Sequence, residues 1–123
     1  LFAGAWEADL TRSQRHPANQ FQSATIVFEV DGEDLRMSDL VVDEASREER
    51  HVNTIRADGR ERAAEPRRGY SVRASWRDPF TLETVGLKDG QPIGGATYAV
   101  SSDGRTLTIS ADQQLIVLDR VGP

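Results

Sequence analysis

The sequence predicts an all-β fold of antiparallel strands joined in chain order, and three observations carry that prediction. Asp-Gly occurs four times, at 31–32, 58–59, 89–90 and 103–104. The dipeptide supplies the positive φ values that tight hairpins demand, so each pair marks a reversal between strands. Apolar and polar residues alternate in the intervening segments, and helical periodicity is nearly absent.

The first strand lies within 2–10, where Trp6, Ala8 and Leu10 face one way and Glu7 and Asp9 the other. Gly4, two residues before the indole, allows a close backbone approach. Residues 11–20 form a polar connection in which Pro17 argues against a long helix and His16 reads as a surface loop residue. A second strand follows over 24–30, with Ile26, Phe28 and Val30 on one face. The third and fourth span 35–42 and 47–57, separated by the polar break Asp43-Glu44-Ala45-Ser46. A short fifth covers 60–64, and 65–69 is a loop.

The sixth strand is clear: Tyr70, Val72, Ala74 and Trp76 alternate with Ser71, Arg73 and Ser75. Asp78-Pro79 turns the chain into a seventh strand over 81–87. An eighth runs over 93–100, where Gly94-Gly95 suggests a bulge or a crowded backbone approach. The last two cover 106–110 and 115–121. Strands of this number and length either close into a barrel or stack as a sandwich. Short connections favour sequential up-and-down pairing over Greek-key exchange.

At 123 residues the chain suits one domain, 1–123, with a single core. No apolar run approaches the ~20 residues of a membrane span. A net charge of −5 argues against nucleic-acid binding, which needs an excess of basic charge on one face. Fourteen of the 15 basic residues are Arg, Lys88 being the exception, as expected of a GC-rich genome. The chain has no Cys, which excludes disulfides and thiolate chemistry, and its two His make a His-rich metal site unlikely. Nucleotide, P-loop and hydrolase signatures are missing too, so no metal and no cofactor are expected. The opening Leu1 fits removal of a leader, as in a secreted or periplasmic protein, or trimming of a cytoplasmic one.

Gly4-Ala5-Trp6 resembles the Gly-x-Trp signature of the lipocalins and their calycin relatives. Val117-Leu118-Asp119-Arg120-Val121 is similar to their closing strand, and Asp103-Gly104-Arg105-Thr106-Leu107-Thr108 to the penultimate hairpin of small bacterial lipocalin-like proteins. The resemblance implies an antiparallel up-and-down barrel of eight to ten strands, monomeric or weakly dimeric. It also implies that Arg120 stacks on Trp6 at the shut end, and that the interior holds a small hydrophobic ligand. A barrel of this size has room for its side chains and one small ligand, with the mouth as the preferred site.

The hairpin of the third and fourth strands holds the most pointed pattern. A turn centred on Ala45 sets opposite one another residues whose numbers sum to 90. Leu35 then faces Ile55, Met37 faces Asn53, and Asp39 faces His51. A carboxylate beside an imidazole reads in three ways: a cross-strand ion pair fixing register, polar groups orienting a ligand, or a general acid-base pair. The candidate ligand-binding residues are Met37, Asn53, His51, Ile55, Trp76 and Tyr98. Trp76, just before Arg77-Asp78-Pro79, is placed to wall a pocket mouth. Arg36 and Arg73 face outward by alternation. The leading function is binding of an apolar or aromatic molecule in the barrel. The alternatives are a small isomerase, eliminase or cyclase using His51 and Asp39, and a module acting through its loops.

Overall fold

The computed structural model describes residues 2–15, 17, 20–63 and 69–121. Ten strands follow in chain order: β1 (Gly4–Ala8), β2 (Ser23–Asp31), β3 (Asp34–Val42), β4 (Glu48–Arg56), β5 (Asp58–Ala63), β6 (Tyr70–Asp78), β7 (Thr81–Lys88), β8 (Gln91–Val100), β9 (Thr106–Ala111) and β10 (Gln114–Arg120). No helix lies among the described residues, so none there is long and apolar enough to cross a membrane. His16 falls outside them.

The sheet order is β4-β3-β2-β1-β10-β9-β8-β7-β6-β5, antiparallel throughout. Pairing of β1 with β10 links the two halves, as the up-and-down expectation requires. β4 and β5 remain at opposite edges of the sheet, each hydrogen-bonded on one side only. The barrel is therefore nearly closed, with one slit between β4 and β5, where β4 approaches β6. Both edges are densely charged, Glu48, Glu49 and Arg50 on β4 and Asp58, Arg60, Glu61 and Arg62 on β5. Such residues discourage another chain from adding to an open edge.

Asp58-Gly59 is the Asp-Gly pair that does not make a hairpin. It lies inside β5, where the register with β6 shifts between Asp58 and Glu61. The expected turn is instead a bulge, and the buried Ala57 carries the chain from β4 to β5. The Gly94-Gly95 expectation holds in both senses: register shifts at Gly86/Leu87 opposite it, and a side chain at Gly95 would collide with the Thr84 carbonyl.

The core follows the alternation. Trp6, Ile26, Phe28 and Leu35 from one half meet Leu82, Leu107, Ile116 and Leu118 from the other. Fully burying a Leu such as Leu35, Leu82, Leu107 or Leu118 contributes about 1.5–3 kcal/mol each before entropy is counted. Phe2, just ahead of β1, is buried and meets Phe28 and Trp76 edge to face, at centroid distances of 5.8 and 5.1 Å. It fills one end of the barrel. At that end the Trp6 indole donates to the Phe2 carbonyl (3.0 Å), and the Arg120 guanidinium lies 4.2 Å from the Trp6 ring centroid. At the opposite end an isolated bridge between Gln14 and Leu115 pins the segment after β1 to β10, and Phe21, ahead of β2, is buried.

Candidate functional site

A cavity of about 500 Å³ lies inside the barrel beside the slit. Its inner wall is Met37 of β3, Val72 and Ala74 of β6, Thr84 of β7 and Tyr98 of β8. Its slit side is Asn53 to Arg56 of β4 with Arg62 and Ala63 of β5. Neighbours of both parities line it on β4 and β5, because an unpaired strand edge exposes residues from both of its faces to the opening. The volume lies within the range of small-molecule sites.

The cations on this wall are already engaged. Arg56 contacts Asp34 at 3.2 Å, and Arg62 pairs with Asp58. Arg36 and Arg73 are exposed, as alternation predicts, and Arg36 lies 4.0 Å from Glu29. Tyr98 meets Phe28 edge to face at 6.5 Å. Burial, and secondarily the charge of Asp39, push the Tyr98 phenol above its ordinary pKa, so it is a neutral donor at physiological pH.

The β3–β4 register is the one the sequence predicts: Leu35 opposite Ile55, Met37 opposite Asn53, Asp39 opposite His51. The turn is built by Asp43, whose carboxylate accepts from the Ala45 and Arg47 amides, both at 2.9 Å. Register does not bring the two side chains of interest together. His51 is exposed, and its Nε2 lies 3.6 Å from Glu49. Asp39 Oδ1 is buried without a hydrogen-bond partner among the described residues. The imidazole thus gains no orienting hydrogen bond from that oxygen, which a general acid-base pair would require.

Met37, Asn53, Ile55 and Tyr98 line the cavity. Trp76 stands elsewhere: half-buried toward the shut end, against Phe2, with its indole donating to the Glu33 carbonyl at 3.2 Å. Ala74, Thr84, Arg56 and Arg62 were not singled out from the sequence as lining residues. Alternation on β6 gives Ala74 by the same rule as Val72. The two arginines line it because they lie on the edge strands that flank the slit, a position that strand alternation does not encode.

No family model matches the chain, and neither does any curated protein. Solved structures do. The wild-type fluorescent protein UnaG superposes with a TM-score of 0.66 at 14% identity, over 98% of this chain and 97% of that one. A point mutant of UnaG gives 0.68 at 15%, over 98% and 96%. The fatty acid binding protein of Schistosoma mansoni, in complex with arachidonic acid, gives 0.67 at 13%, over 98% and 96%. The fold is a lipocalin-like, calycin barrel. At these identities the likeness is one of fold, and what this barrel holds has to be argued from its own residues.

Proposed function

We propose that this calycin barrel binds one small, mostly apolar or aromatic molecule in its interior, through Met37, Asn53, Ile55 and Tyr98. The reading rests above all on the cavity of about 500 Å³ lined by Met37, Val72, Ala74 and Tyr98 beside the slit. An apolar wall carrying a few polar groups, Asn53, Thr84 and the Tyr98 hydroxyl, is what small-molecule sites present. The likeness in fold to a fatty acid binding protein solved with arachidonic acid supports the same class of function.

Titration with 1-dodecanol and with a neutral aromatic probe, followed by calorimetry and Trp fluorescence, tests the reading. Saturation at one equivalent, lost when Thr84→Phe fills the cavity, is the expected result. Failure of both probes to bind, or binding that the filled variant retains, overturns it.

A further inference from the structure

The polar groups of the barrel interior are unevenly satisfied, and the imbalance has a sign. The two cations at the cavity wall, Arg56 and Arg62, are neutralised by Asp34 and Asp58. Asp39 is not. It stands on the inward face of β3 with Leu35, Met37 and Val41, which belong to or pack on the core, and its cross-strand neighbour on β2 is the buried Ile26. Its Oδ1 is buried with no hydrogen-bond donor among the described residues, and the facing His51 is turned to solvent beside Glu49.

A carboxylate has only acceptor sites, so a buried oxygen left empty calls for a donor and repels a second carboxylate. Leaving it unpaired costs free energy, and a donor brought by a ligand would remove that cost. Asp39 is half-buried and stands just behind the lining: it follows Met37 by two positions on the inward face of β3, and Met37 and Tyr98 both line the cavity.

The geometry points to Asp39, with Tyr98 beside it, as the polar end of the site, receiving an N–H donor, above all a protonated amine, at the end of an otherwise apolar ligand. This rests on the cavity-binding reading and narrows it. Fatty acids then become poor ligands: a carboxylate entering this interior meets Asp39 unneutralised, while Arg56 and Arg62 are already paired.

Three probes with one chain and three head groups, dodecylamine, 1-dodecanol and dodecanoate, below their aggregation thresholds at pH 7, decide it by calorimetry. Wild type is expected to bind the amine at least about tenfold more tightly than dodecanoate, as a charge-assisted hydrogen bond implies. In Asp39→Asn the gap is expected to collapse to within about threefold. Dodecanoate binding wild type as well as the amine does overturns the inference and leaves the carrier reading intact. So does an amine preference that survives in Asp39→Asn, since it then comes from the net negative surface. Should Asp39→Asn not fold, the wild-type series still decides. If none of the three binds, the carrier reading falls and this inference with it.

Discussion

Arg120 lies over the ring of Trp6, 4.2 Å from guanidinium carbon to centroid, and ties two other segments together from there. Its Nη1 donates to the Ala3 carbonyl at 2.7 Å and its Nε to the Gly104 carbonyl at 2.8 Å. One side chain of β10 thus holds the start of β1, the β8–β9 loop and the indole at the shut end. A partly desolvated cation–π contact contributes about 1–2 kcal/mol, and charge-assisted hydrogen bonds add to it. Arg120→Ala is expected to lower unfolding free energy by about 2–4 kcal/mol in urea titrations. Arg120→Lys keeps the charge without the fork and should recover only part. A loss below about 0.5 kcal/mol in Arg120→Ala would show that the contact holds nothing.

Gly4 matters because of that same guanidinium. Its φ is +124°, and a Cβ there would stand 2.7 Å from Arg120 Nη1. Gly4→Ala should therefore cost about 1–3 kcal/mol, part strain and part collision. The collision disappears in an Arg120→Ala background, so the two costs should fall short of additivity by at least about 0.5 kcal/mol in a double-mutant cycle. Strict additivity would mean that the glycine serves the backbone conformation alone.

Asp39 should be a site where stability and binding oppose one another. Replacing the carboxylate by an apolar side chain of similar size removes a buried acceptor with no donor, a cost of about 1–3 kcal/mol. Asp39→Leu is thus expected to raise the melting temperature by several degrees. Functional sites commonly carry such an expense. A melting temperature that falls would mean that the carboxylate is satisfied in solution, for instance by water.

Strand identity, sequential pairing and the β3–β4 register were all legible, because alternation and turn chemistry are local. The sum-of-90 rule held from Asp34↔Arg56 to Val42↔Glu48, since the Asp43 turn leaves no freedom to slip. The placement of Trp6 with Arg120 was legible only through resemblance, as the two are 114 positions apart. Side-chain direction at an open edge was not legible. A residue on β4 has no neighbour on its far side, so His51 is free to turn toward Glu49 and solvent. The Asp58-Gly59 bulge escaped for a related reason: the dipeptide specifies a local backbone bend, and whether the strands on either side then pair depends on the rest of the barrel.

Tyr98 should titrate abnormally. Burial first, and the Asp39 charge second, raise its pKa above the ordinary 10.0. The neutral phenol is the form the fold favours, so its contribution is complete below the unfolded-state value and fades as pH climbs through the folded one. Ultraviolet titration should find one tyrosine ionising late, assigned to Tyr98 by its loss in Tyr98→Phe. Asp39→Asn should bring that titration partway down and leave the burial component. A phenol whose titration is unmoved in Asp39→Asn would place the carboxylate too far away to feel it.

The last strand is also locked to the segment after β1 by an exposed acid–base chain. Asp9 accepts from the Thr11 hydroxyl at 2.6 Å and from Arg12 Nε at 2.7 Å, while Arg12 Nη2 reaches both carboxylate oxygens of Asp119 at 2.5 Å. The Thr11 hydroxyl first, and Arg12 next, lower the Asp9 pKa to about 2. A depressed carboxylate pKa means that the unfolded chain takes up its proton first as pH falls. The stabilisation is therefore intact above the unfolded-state value near 3.9 and disappears as pH drops toward about 2. Being exposed, the chain is screened by salt and its effect is small. Amide protection across 10–15 and 115–119, taken relative to the intrinsic exchange rate at each pH, should fall over that window in wild type, and less so in Asp9→Asn, which has no proton to take up there. An equal fall in both proteins would mean that Asp9 does not fasten this corner of the barrel.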